Sequence, residues 1–125
     1  MPSEIFRRIV VIVAALLGAA GVAAAAGATH SGDQALLGPL SLVALTHAPA
    51  LVALAAYQPA FRFQPQAMVI IAFGAILFSI DLAVRHFTGA PFFPHAAPIG
   101  GTALIAGWLV LAFSAAIGRQ QPTST

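Results

Sequence analysis

Three side chains that could do chemistry lie in otherwise apolar sequence: Asp81, Arg85 and His47. Asp81 sits near the end of the run QPQAMVIIAFGAILFSIDLAVR, Gln64 to Arg85. An Asp near a helix centre opposes bilayer insertion by roughly 2.5–3.5 kcal/mol, while each Leu, Ile, Phe or Val returns about 0.3–0.6. The Val, Ile, Leu and Phe residues around Asp81 are numerous enough to insert the segment all the same. An ionisable group at that depth turns toward a bundle interior or a wet cavity and takes a partner. Arg85 follows four residues later, the favourable order for a helical ion pair. Two readings follow: a structural pair whose arginine reaches up to the surface, or a proton or ligand site. His47 lies in a second apolar run, just before Pro49. It is either an ordinary histidine bonded across helices or a third member of the same site. Helix rise places Asp81 roughly 10 Å and His47 roughly 14 Å below the same membrane face. His47, Asp81 and Arg85 are therefore a candidate intramembrane binding cluster.

A second set, His30, Asp33, His86 and His95, falls in the connecting segments at one end, with His30 a candidate polar residue of the outer face. Histidines with a carboxylate are a ligand set that zinc accepts. These four come from separate segments and show no HExxH spacing, so no metal or cofactor is expected. The chain has no cysteine, which removes thiolate chemistry and disulfides. Ser79 and Ser114 carry no GxSxG-type motif. An enzyme is not expected.

The positioning elements follow from composition. Of 125 residues, 60% are hydrophobic and 6% charged, against roughly 45–50% and 25% in soluble domains. The five basic residues are all arginine and do not cluster, which argues against a nucleic-acid partner. The expected fold is an all-α membrane protein, one domain over 1–125, with four transmembrane helices in an up-down bundle. The spans are 9–29, 38–57, 66–87 and 98–118, each near the twenty residues that a bilayer requires.

The first span has two arginines before it and an Ala-x-Ala pattern at Ala24 to Ala26, as a secretory signal would. Its length favours a retained helix. Gly18, Gly21, Ala25 and Gly27 allow close approach of a neighbour, which predicts that this helix lies inside the bundle. The segment 29–37 reads as a turn. Pro49 removes the donor for the carbonyl of Leu45, predicting a kink or a freed acceptor. Tyr57, Phe61 and Phe63 around Arg62 suit the headgroup layer, and Pro65 suits a helix start. In the fourth span Gly100, Ala103, Gly107 and Ser114 form a small-residue stripe, and Trp108 sits mid-span. Arg7, Arg8, Arg62 and Arg119 fall at one end and only Arg85 at the other, so the positive-inside rule predicts N-in/C-in.

The runs LFSIDLAVRHFTG, Leu77 to Gly89, and APIGGTALIAGWLVLAF, Ala97 to Phe113, resemble domain of unknown function 423. That is a family of small bacterial inner-membrane proteins related to eukaryotic transmembrane protein 256. Phe78-Ser79, Thr88-Gly89, Pro98 to Gly101 and Gly107-Trp108 match its LFSGSLY, TG, TPIGG and GW elements. Gly27, Ala28 and His30 resemble its GAFGAH, and His47-Ala48 its YHALAL. Asp81 stands where the commoner pattern has Ser, Pro49 where it has Leu, and Val43-Ala44 where it has Tyr-Gln. The resemblance implies a four-helix inner-membrane fold and brings no activity with it.

The functional expectation is a small, multi-pass inner-membrane protein, structural or accessory. Its partners would be the lipid bilayer and either copies of itself or a larger membrane complex. The alternative is a small oligomeric transporter or proton path using His47, Asp81 and Arg85.

Overall fold

A computed structural model describes residues 2–119. Four helices follow one another: α1 (Glu4–Ser31), α2 (Gln34–Ala56), α3 (Gln64–Thr88) and α4 (Ala96–Ile117). Each is long and apolar enough to cross a membrane, and the chain is a multi-pass membrane protein. Among the described residues there is no strand beyond an isolated bridge between Phe61 and Arg119.

The helix ends are set by local chemistry. The Ser3 hydroxyl accepts from the Phe6 amide, and α1 closes at Gly32, whose φ of 76° suits the left-handed turn that stops a helix. Asp33 follows immediately and caps α2 by accepting from the Leu36 amide. A two-residue Gly-Asp link thus replaces the longer turn expected over 29–37. As a result His30 lies in the last turn of α1, and Pro39 falls inside α2 rather than at its start. The helix also runs unbroken through Pro49. Just before Pro49, Thr46 and His47 turn their side chains back onto the Leu42 and Val43 carbonyls. Pro65 opens α3 as expected, where no amide donor is needed.

α3 is the hub. It packs closely on α4, joins α2, and touches α1 lightly, while α1 packs on α2. The helices therefore pack in chain order, α1 on α2, α2 on α3 and α3 on α4, and the α1/α3 and α2/α4 edges are wide. The expectation that the first helix lies inside is corrected: Ile5, Ile9, Ile12, Leu16 and Val22 of α1 are exposed. Its small residues serve a single seam. Val10, Ala14, Leu17, Gly21, Ala24 and Ala28 are its buried positions, alternating steps of four and three that keep one stripe against α2. A Cβ on Gly21 would come within 2.7 Å of the Leu45 side chain.

The α3–α4 contact is backbone on backbone. A Cβ on Gly74 would lie 2.7 Å from the Gly100 carbonyl oxygen, and one on Gly100 would lie 2.7 Å from the Phe78 amide nitrogen. No side chain of any kind fits there. In lipid, where apolar contact alone gives little drive, such closeness lets dispersion forces hold two helices together. Of the predicted stripe, Gly100, Gly107 and Ser114 are buried, with Leu104 rather than Ala103 between them.

Candidate functional site

The candidate acid sits two turns before the end of α3, its side chain wholly buried. One carboxylate oxygen, Oδ2, accepts from Arg85 Nε at 2.8 Å. The other, Oδ1, accepts from the Phe92 amide at 2.8 Å. The amide of Ala97, in the first turn of α4, also faces it. Asp81 thus folds the 89–95 connection back against α3. The reversal begins at Gly89, whose φ is 76°, and Thr88 steadies it by donating to the Val84 carbonyl and accepting from the Ala90 amide. Arg85 keeps 35% of its side chain exposed while its Nε stays on the acid, as a long basic side chain can when its head is partly solvated.

His47 does not join this pair. Its Nε2 lies 3.1 Å from Trp108 Nε1, and an indole nitrogen only donates. Nε2 is therefore the acceptor, and the ring proton sits on Nδ1, which donates to the Val43 carbonyl at 2.8 Å. Both ring nitrogens are engaged, and the residue bridges α2 to α4 across a wide edge. The structure brings Asp81 and Arg85 together and divides the candidate cluster into two arrangements, Asp81–Arg85–Phe92 and His47–Trp108.

At the end bearing the histidines, His86 Nδ1 lies 2.7 Å from Asp33 Oδ2. The contact ties the end of α3 to the cap of α2. His30 and His95 are exposed, and His95 occupies the left-handed position before α4 with φ 67°. Two of the four outer residues thus meet. Among the described residues no three His, Cys, Asp or Glu side chains converge as metal ligands would.

A family model for proteins of unknown function, DUF423, matches residues 17–101. The chain belongs to this DUF423 family. The matched region runs from the middle of α1 through the first turn of α4, and includes His30, His47, Asp81 and Arg85. The Pro98 to Gly101 run that carried the sequence resemblance closes it; Gly107 and Trp108 lie just beyond. No curated protein and no solved structure matches the chain.

This DUF423 protein also builds polar structure that sequence reasoning missed. Gln64 is fully buried. Its Nε2 donates to the Leu54 carbonyl at 2.8 Å and the Tyr57 carbonyl at 3.1 Å, while its Oε1 accepts from the Phe61 amide. Arg7 Nε donates to the Ala55 carbonyl at 2.8 Å, and the Ser114 hydroxyl accepts from the Phe63 amide at 2.8 Å. These bonds satisfy backbone groups freed where α2 ends and α3 begins. The only signal for Gln64 is a polar residue directly before Pro65 at a helix start, a position that also reads as plain loop. The partnership of Trp108 with His47 had a fainter signal, since both are mid-span donors or acceptors on different helices.

Proposed function

We propose that this DUF423 protein is a non-enzymatic, accessory component of the inner membrane that assembles with copies of itself or within a larger membrane complex. The observation that carries this reading is the commitment of its intramembrane polar groups. Both oxygens of Asp81 hold the chain's own donors, and both nitrogens of His47 hold the chain's own partners. A proton path needs groups that exchange partners along a line, and Asp81 and His47 share none. The large apolar residues left exposed on α4, Ile105, Leu109 and Phe113, offer a face to lipid or to a neighbouring helix.

The arginine distribution supports an orientation with both termini in the cytoplasm. Arg7 bonds the end of α2, and the Arg62 amide bonds the Gly118 carbonyl beside Arg119. Those arginines share one end, and the positive-inside rule turns that end inward.

Proton flux out of acid-loaded proteoliposomes tests the reading. The expected result is flux equal to that of empty liposomes, both for the wild type and for Asp81→Asn. Flux above that background in the wild type, lost in Asp81→Asn, would overturn it in favour of transport.

A further inference from the structure

A groove opens between the first turns of α1 and the end of α2, lined by Glu4, Arg7, Arg8, Val11 and Ile12 of α1 and by Val52 of α2. Its two levels differ in chemistry. Arg7 and Arg8 stand at the rim, and the exposed side chains of Val11, Ile12 and Val52 form an apolar wall beneath them. The step from Arg7 to Val11, or from Arg8 to Ile12, is one helical turn, roughly 6 Å. The headgroup layer of a bilayer is about 5–8 Å thick on each side. Arginines at phosphate depth therefore set the wall among the first methylenes of the acyl chains.

Both arginines are anchored through Nε. Arg7 Nε donates to the Ala55 carbonyl at 2.8 Å, and Arg8 Nε donates to Glu4 Oε1 at 3.2 Å. Each guanidinium has further N–H donors on its Nη atoms. Glu4 Oε2 lies 3.7 Å from Arg7 Nη1, beyond hydrogen-bond length. Two adjacent forks held in this way suit the oxygens of a phosphodiester, which a guanidinium can bind bidentately.

Charge decides between occupants. Arg7 and Arg8 against Glu4 leave the groove one net positive charge. A phosphatidylglycerol headgroup carries one negative charge and cancels it. A phosphatidylethanolamine headgroup is neutral overall, and its ammonium would compete for Glu4, whose two oxygens already face Arg7 and Arg8. A second copy inserted the same way up would bring like charge to this depth. Arg7, Arg8, Arg62 and Arg119 share that end, where Glu4 is the one acidic side chain among the described residues.

We propose that the α1/α2 groove binds one phosphatidylglycerol-type anionic phospholipid, its phosphodiester oxygens accepting from Arg7 and Arg8 and an acyl chain lying on Val11, Ile12 and Val52. The full chain in a neutral detergent is titrated with phosphatidylglycerol, with phosphatidylethanolamine of the same acyl chains, and with glycerophosphoglycerol, the same anionic headgroup without tails. Native mass spectra count the molecules retained and read the oligomeric state. Phosphatidylglycerol should saturate at one per chain and bind about fivefold tighter than phosphatidylethanolamine, the effect of one charge near a membrane surface. Glycerophosphoglycerol should not be retained. Arg8→Gln should weaken phosphatidylglycerol about fivefold; Arg8 is exposed and bonds only Glu4, so this variant keeps the fold. Arg7→Gln should weaken it about tenfold, since a fork anchored to α2 is lost. Arg119→Gln removes the same charge from the same end, but Arg119 follows α4, which does not pack on α1, and affinity should not change. Equal affinity for phosphatidylethanolamine, retention of the tail-free headgroup, or equal weakening by Arg119→Gln and Arg8→Gln would each overturn the proposal. Dimers that form in place of lipid binding and are lost in Ile12→Trp would overturn it too, and assign the groove to a second copy.

Discussion

Removing either member of the Asp81–Arg85 pair should have unequal consequences. Asp81 has no exposed side-chain surface, while Arg85 is 35% exposed. In Asp81→Asn the amide oxygen can still accept from Phe92, and the freed guanidinium can turn to water and headgroups. The expected loss is about 1–2 kcal/mol, one charge-assisted bond discounted for the arginine's exposure. In Arg85→Met the carboxylate stays buried with only backbone amides around it. Leaving one charge of a buried pair uncompensated costs about 3–5 kcal/mol. Asp81→Ala should also be severe, about 3–4 kcal/mol, because the Phe92 amide is orphaned and the charge-assisted bond is lost as well. Reversible unfolding of the variants in mixed micelles measures these values, and the double variant Asp81→Asn/Arg85→Met gives the coupling. The double variant should be less damaged than Arg85→Met alone. If Arg85→Met proves as mild as Asp81→Asn, the acid is not held as a charge by Arg85, and the clasp described here is wrong.

Three further outcomes follow from the packing. Gly100→Ala should destabilise by about 1–3 kcal/mol through forced separation of α3 and α4, whereas Gly101→Ala, whose Cβ meets nothing within 4 Å, should be near neutral; micelle unfolding curves distinguish them. Gln64→Leu should cost about 2–4 kcal/mol, since it leaves buried backbone groups unpaired near the end of α2, and hydrogen exchange at the Phe61 amide should rise with it. Trp108→Phe keeps the ring but removes the donor to His47, for an expected loss of about 1 kcal/mol. Unfolding should then respond to His47→Gln less in that background than in the wild type.

The architecture was legible because bilayer crossing leaves a long, one-dimensional mark: apolar runs of fixed length, separated by Gly, Pro and charge. The Asp81–Arg85 pair was legible for a related reason, since both partners lie on one helix and a four-residue step sets their distance. The partner of His47 was not, because the direction in which a mid-span residue faces depends on how α2 and α4 are rotated, and depth alone does not fix rotation. The placement of α1 was misread for a physical reason. A small-residue stripe states that some neighbour approaches closely, but not how many do. Gly21 meets α2 alone, whereas Gly74 and Gly100 let α3 reach α4 while its other faces meet α2 and α1.

Arg7 and Arg8 separate two roles that charge counting merges. Both are arginines at one end of α1, and both contribute equally to a positive-inside rule. Their contacts differ. Arg7 Nε donates to the Ala55 carbonyl at the end of α2, a group that has no partner within its own helix. Arg8 meets only Glu4, one turn back on the same surface, and such exposed pairs contribute little. Arg7→Met should therefore lower stability by about 1 kcal/mol, while Arg8→Met should leave it within about 0.5 kcal/mol of the wild type. Both should leave orientation unchanged, as read by labelling single cysteines introduced at Ser31 and Gln58 of a chain that has none of its own. Equal stabilities would mean that Arg7 acts only as a charge. The α2 end would then rely on Gln64 alone, and polar groups at this membrane face would serve topology rather than the termini of the helices.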